Sequence, residues 1–100
     1  MEVSFRDKAL EKLKTNPKAK TPVPAELVNR FLRVIRIIES AVDERDFRAF
    51  GKGLGFEELK RDREGQQAFR LNDQFRLITE IRGEAPRKTA EVIEVADYHD

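Results

Sequence analysis

Cysteine is absent from this 100-residue chain, and histidine and tyrosine each occur once. Without a thiol there is no disulfide framework, no thiolate metal site and no cysteine nucleophile. A single imidazole leaves a transition-metal site short of ligands, so no cofactor is expected. No apolar run is long enough to cross a bilayer, and no secretory signal or lipidation motif is visible. These absences lead to the expectation of a soluble, cytoplasmic protein with no membrane partner. Neither a phosphate-cradling P-loop nor a dinucleotide fingerprint is present. Ser4 and Ser40 stand in no motif that would make either a nucleophile. Internal repeats, low-complexity tracts and long linkers are missing too, so residues 1–100 are expected to form one domain.

Charge is plentiful. Charged and apolar residues each make up 39% of the chain, so a core must come from clustering of the apolar ones. They do cluster, in periodic runs that argue against disorder. The net charge of +1 is unevenly spread. Residues 1–38 carry nine Lys/Arg against four Asp/Glu, whereas residues 89–100 are acidic. A basic amino-terminal half suits either a phosphate-facing surface or a solvated helical face.

The periodicities give an order of elements. MEVSF alternates with Val3 and Phe5 on one side, a short strand. RDKALEKLKT places Ala9, Leu10 and Leu13 at helical spacing. NPKAKTPVP, with three prolines, is a connector, and Pro24 suits the first turn of the next helix. AELVNRFLRVIRIIESAV carries a stripe of Leu27, Phe31, Val34, Ile35, Ile38 and Val42, widened by Val28, Leu32 and Ile37. Arg30, Arg33 and Arg36 lie along its other side, as a solvated flank or as a ridge facing phosphate or a partner. DERDFRAFGKGLG reads as a helical turn ending at glycines. FEELK, QQAFRLN, QFRLITEIR and TAEVIEVADYH read as strands separated by RDREG, ND and GEAPRK. Strand, helix, helix and a run of strands predict an α+β fold, two helices packed on a curved, mainly antiparallel sheet.

Two stretches of the sheet carry chemistry. In FRLNDQFRL, a two-residue Asn-Asp hairpin would bring Arg70 and Arg76 together across the ladder, away from the Phe69/Leu71/Phe75/Leu77 side. Two such guanidinium forks suit a phosphate, although two surface arginines balancing acids fit the spacing equally well. In the last strand, apolar residues occur on both parities, Ile93 and Val95 on one, Ala90, Val92 and Ala96 on the other. That predicts a strand buried on two sides. Tyr98 and His99 then stand at a sheet end and not on a loose tail.

These residues resemble the HigB branch of the RelE-like toxins of bacterial type II toxin–antitoxin pairs. The likeness runs over nearly the whole chain: VSFRDKALEKL, the apolar second helix, FEELK, the RLNDQFRL hairpin and the closing DYH. It implies a small fold like that of microbial ribonucleases and a metal-independent endoribonuclease that cuts mRNA, usually on the ribosome. The ribose 2′-OH attacks the adjacent phosphate and leaves a cyclic phosphate and a 5′-hydroxyl. That chemistry needs a base, cations on the phosphate and an acid for the leaving oxygen.

Carried over residue by residue, the resemblance makes Lys60 a stabiliser of the phosphorane charge, Arg76 the holder of the scissile phosphate and Arg70 a second phosphate contact. His99 becomes the acid/base candidate, because its unperturbed pKa lies nearest neutrality. Tyr98 would stack on a base or orient the substrate, and Asp97 would orient His99 or take part directly. Glu57 occupies a position where many HigB toxins have histidine; the YoeB-like branch has glutamate there, proposed as the base. Glu57 is therefore the expected base, with His99 as acid. The family also implies a helix-turn-helix, HigA-like antitoxin, with DNA contacted only through the antitoxin complex. RelE-like ribonucleases are usually more basic than +1, which points towards action on a ribosome or towards a divergent relative. Other occupants of the same fold set the alternatives: a non-catalytic toxin that binds a protein target such as gyrase, and an inactive antitoxin-binding corepressor.

Overall fold

The computed structural model describes residues 1–98. Strand β1 (Glu2–Phe5) leads into helix α1 (Lys8–Glu11), which tightens into a 3-10 turn at Lys12–Lys14. Asp7 caps α1, its carboxylate accepting the Ala9 N–H at 2.9 Å. The proline-rich connector ends at Pro24, ahead of a 3-10 turn at Ala25–Leu27 that runs into helix α2 (Val28–Ser40). Helix α3 (Glu44–Arg48) follows, capped by Asp43. The remaining strands are β2 (Glu57–Glu58), β3 (Gln67–Arg70), β4 (Phe75–Arg82) and β5 (Thr89–Asp97).

The five strands form one sheet in the order β1-β5-β4-β3-β2. Only β1 and β5 pair in parallel; the other three pairs are antiparallel. This is the expected α+β layout. The core lies between the helices and the sheet's inner face. Phe31, Val34, Ile35 and Ile38 of α2 are buried against Phe5, Phe69, Leu77, Ala90 and Val92 of the sheet. The rings of Phe47, on α3, and Phe69, on β3, meet edge-on at 5.0 Å. Burial of each such aromatic ring is worth about 1.5–3 kcal/mol, so α3 is held on the sheet mainly through Phe47.

Three sequence expectations are corrected. Val42 is not part of the buried stripe; it is 52% exposed. The helix stops at Ser40, and Ala41 is extended (ψ 150°), so helical spacing no longer governs residue 42. The second correction concerns β5. Its two apolar parities come chiefly from a bulge: Ile78 pairs with Glu94 but Thr79 pairs with Val92. The extra residue, Ile93, switches the strand's faces. Ala90 and Val92 face the core before the bulge, and Val95 packs against it after. Ala96 joins Ala68 and Ile78 in a small cluster on the outer face.

The third correction is the hairpin. The loop between β3 and β4 has three residues, Asn72, Asp73 and Gln74, closed by a bond from the Leu71 N–H to the Phe75 carbonyl at 3.0 Å. With a two-residue loop Arg70 would lie opposite Phe75. The third residue shifts the register by one and puts Arg70 directly opposite Arg76.

Buried Gln67 ties three strands together. Its carbonyl oxygen accepts from the Thr79 hydroxyl (3.1 Å) and the Ile81 N–H (3.0 Å), and its amide donates to Glu58 (3.3 Å). On the outer face near β1, Glu91 accepts from Arg6 at 3.2 Å and Arg82 at 3.0 Å. The Arg6 and Arg82 bonds hold the Glu91 carboxyl below its ordinary value of 4.5, with burial acting weakly the other way. A carboxyl depressed by folding stabilises the fold above its unfolded pKa, and that contribution disappears as pH falls through the folded pKa. Melting followed by circular dichroism on acidification should therefore show a shallower loss for Glu91→Gln than for wild type.

Candidate functional site

The outer face of the sheet carries the residues of interest at the end away from β1. Because Arg70 and Arg76 are opposite each other, their side chains leave the sheet on the same side. That side is the one with Ala68, Ile78 and Ala96, and the Phe69/Leu71/Leu77 side faces the core as expected. Arg76 pairs with Ala96 on β5, and Glu57 pairs with Ala68 on β3. Glu57 therefore stands on the same face, diagonally beside Arg70.

Tyr98 follows the parity of Ala96 and packs on this outer cluster. The Arg76 guanidinium lies 5.8 Å from the centre of its ring. The Tyr98 N–H donates to the Gln74 carbonyl at 2.6 Å, so the strand end is tied to the hairpin loop. Position 98 is thus part of the sheet end. His99 lies outside the described residues.

Arg76 and Arg70 are held differently. Arg76 is half-buried, and its guanidinium donates to the carbonyls of Asn72 and Phe75. It has no acidic partner among the described residues. Arg70 is exposed and pairs with Asp73, whose side chain is 92% exposed. An exposed ion pair of that kind is worth about 0–1 kcal/mol, and a phosphate can displace it. Glu57 is exposed, and its carboxylate makes no hydrogen bond or ion pair among the described residues. It does not pair with Lys60 or Arg61.

Lys60 and Asp97 complete the expected residues among those described. Lys60 precedes a 3-10 turn at Arg61–Arg63, and Arg61 adopts a left-handed φ of 58° as the chain turns out of β2. Lys60 is exposed, and its ammonium makes no hydrogen bond or ion pair with Glu57, Arg70 or Arg76 among the described residues. Asp97 pairs with Phe75, on the parity opposite to Tyr98, and accepts from the Gln74 amide at 3.0 Å.

One residue of the arginine ridge is structural to the site. Arg30 turns inward from α2. Its Nε and Nη2 donate to the Arg70 carbonyl at 3.2 and 2.9 Å, and Nη2 also reaches the Gly53 carbonyl at 2.7 Å. Burial, with smaller contributions from Arg33 and Arg70, holds its pKa below the ordinary arginine value. Arg33 and Arg36 are exposed, the solvated flank. Sequence did hold a sign of this difference: Arg30 is four residues from buried Val34 and three from buried Leu27, at the edge of the stripe. The strand end is fixed from another side by Gly55. The Arg70 N–H donates to the Leu54 carbonyl at 3.0 Å, and a Cβ at Gly55 would sit 2.6 Å from the Arg70 Cβ. Gly55 also has a positive φ of 61°, which disfavours any side chain.

The family model described as "RelE-like toxin of type II toxin-antitoxin system HigB" matches residues 3–99. The chain belongs to this HigB-like toxin family. Toxin HigB-1 of Vibrio cholerae is 33% identical over 78 residues, 78% of this chain and 81% of that protein. Among solved structures, a YoeB/ParE toxin from Agrobacterium tumefaciens superimposes with a TM-score of 0.63 at 20% identity, covering 99% of this chain and all of its own. A YoeB–YefM complex from Staphylococcus aureus gives 0.54 at 16% identity, over 100% and 98% of the two chains. YafQ from E. coli gives 0.54 at 7% identity, over 96% and 91%. These likenesses show that the HigB-like toxin shares its α+β fold with the YoeB and YafQ toxins.

Two variants test how Arg70 is held. Charged hydrogen bonds to carbonyls contribute about 1.5–3 kcal/mol each when made. Arg30→Ala should lower unfolding free energy in a denaturant titration by about 1–3 kcal/mol, and Arg30→Lys should recover only part, having no fork. Gly55→Ala should cost about 1–3 kcal/mol in the same titration. Wild-type stability in either alanine variant would remove the strut or the close approach from the account.

Proposed function

We propose that this HigB-like toxin is a metal-independent endoribonuclease. Its substrate is mRNA, cut on the ribosome through attack of a ribose 2′-OH on the adjacent phosphate. The observation that carries the reading is the facing pair Arg70 and Arg76, with the Tyr98 ring beside Arg76 and, on the same face, the Glu57 carboxylate, which has no ion pair among the described residues.

Arg76 is suited to hold the scissile phosphate. It is charged, pre-oriented by two carbonyls, and has no carboxylate among the described residues to compete with the ligand. Arg70 adds a second fork once Asp73 is displaced. Glu57, as carboxylate, takes the 2′-OH proton; the alkoxide forms a bond to phosphorus, and the P–O5′ bond breaks. His99 gives its proton to the leaving 5′ oxygen. Atoms balance as a transesterification to a cyclic phosphate and a 5′-hydroxyl. Tyr98 stacks on an unpaired base. Lys60 contributes longer-range positive charge to the phosphorane, and Asp97 orients His99. The roles of Lys60 and His99 rest on the family's motif alone.

A HigA-like, helix-turn-helix antitoxin is the proposed partner. Membership of a toxin–antitoxin family supports it, and the YoeB neighbour was solved in complex with YefM. DNA contact would then come through that partner.

The test is induced expression in a bacterial host of wild type, His99→Ala and Arg76→Ala, with mRNA 5′ ends mapped. Wild type should arrest growth and produce new cuts within reading frames. Each substitution should lower cleavage about 10²–10⁴-fold while the purified variant keeps its circular dichroism. Arrest by all three proteins without new RNA ends would remove the nuclease reading in favour of a protein-binding toxin. Soluble, folded wild type that causes no arrest would favour the corepressor.

A further inference from the structure

Beside Arg70 and Glu57 the surface drops into an open cleft of about 600 Å³, between α3 and its following 3-10 turn on one side and β2 on the other. Its cations are Arg48, Lys52 and Arg70, against the single carboxylate Glu57. Lys52 has no ion pair among the described residues. Arg48 lies 5.4 Å from the centre of the Phe56 ring and is likewise without a carboxylate among them. Phe56 is half-buried, its ring tilted against those of Phe47 and Phe69 with centroids 5.2 Å away, so the ring that forms the cleft's apolar wall is held from two sides.

We propose that this cleft is a second nucleotide subsite. It would take the nucleotide next to the scissile phosphate, with Arg48 and Lys52 on its phosphate and the Phe56 edge against its base. The inference rests on the ribonuclease reading and extends it by one nucleotide.

Continuity is the first argument. Arg70 belongs both to the facing pair and to the cleft lining. From Tyr98 on β5 to Glu57 on β2 the face crosses three strand gaps, about 14 Å. That span exceeds what one phosphate and one base need. Composition is the second. Unpaired cations beside a fixed aromatic ring form the usual surface for single-stranded nucleic acid, which needs charge for its backbone and a flat apolar contact for its bases. Preorganisation is the third. Arg30 holds the carbonyls of Gly53 and Arg70, so the segment behind Lys52 is clamped to the strand that carries Arg70.

The test compares two charge-matched double variants, Arg48→Gln/Lys52→Gln in the cleft and Arg33→Gln/Arg36→Gln on the solvated flank of α2. The probe is a fluorescent 2′-O-methyl oligouridine, which 2′-OH attack cannot cleave. Its anisotropy is measured from low to physiological salt. All four side chains are exposed, and circular dichroism checks that both variants fold. Each phosphate contact on a single strand contributes about 0.7 to the slope of log K against log salt. The cleft variant should bind about tenfold more weakly at low salt and lose about 0.7–1.4 from its slope, while the flank variant keeps the wild-type slope. Equal slopes for the two variants, with wild type binding normally, would overturn the subsite and leave the cleft to an acidic protein segment. No binding by wild type even at low salt would overturn the subsite as well, while the mapped 5′ ends of the expression test decide the ribonuclease reading separately.

Discussion

The side-chain oxygen of Asn72 accepts the N–H groups of Gln74 (2.9 Å) and Phe75 (2.7 Å), and this bond pair holds the loop between β3 and β4 at three residues. Everything on the outer face depends on that count. Side chains alternate with a period of two, so a loop one residue shorter would turn Arg70 to the face of Phe75. The Asn72 carbonyl also receives the Arg76 guanidinium, and Gln74 receives the Tyr98 N–H. One short loop therefore sets the register, steadies the half-buried arginine and ties down the end of β5. Asn is suited to this work because its short amide can bond its own backbone two and three residues on.

Tyr98 owes its place to the same loop. It lies beyond the last ladder pair, where strands ordinarily fray. The bond to Gln74 prolongs the pairing by one residue, and the ring's position beside Arg76 follows from the parity of Ala96. That parity is itself a product of the bulge at Ile93. Without the extra residue Ala96 and Tyr98 would turn to the core side. The bulge and the loop act together: one aims β5, the other aims β3, and the arginines and the tyrosine converge.

Much of this was legible in the sequence, for reasons that are local. Apolar periodicity marked α2 and the strands, because burial on one face imposes that period. The likeness to HigB toxins, on RLNDQFRL and DYH, led to the family. What stayed hidden depends on contacts far apart in the chain. Asn72-Asp73 reads as a two-residue turn until Gln74 is seen to close it. Ile93 reads as ordinary alternation until its partner strand skips it. Arg30 reads as one of three evenly spaced arginines, set apart only by its place at the edge of the stripe, and its bonds to the carbonyls of Gly53 and Arg70 depend on segments far along the chain. Val42 fits the helical stripe, yet the chain leaves the helix two residues earlier.

Charge on the outer face is divided by the same geometry, and the division explains how a chain of net charge +1 can present a cationic site. Towards β1 the cations are neutralised on the sheet: Arg6 and Arg82 share Glu80 and Glu91, and Arg63 meets Glu94 at 3.0 Å. Towards the hairpin, among the described residues, Arg76 has carbonyls and a ring in place of a carboxylate, and Arg70 has only an exposed, displaceable one. Exposed charges beyond about 8–10 Å are screened at physiological salt, so a bound phosphate responds to the cations within a few ångströms and hardly to the total. A low net charge then limits indiscriminate attraction to nucleic acid without weakening the local field. For the proposed ribonuclease, such a site would suit a strand already delivered to it, which is the situation of mRNA held by another body.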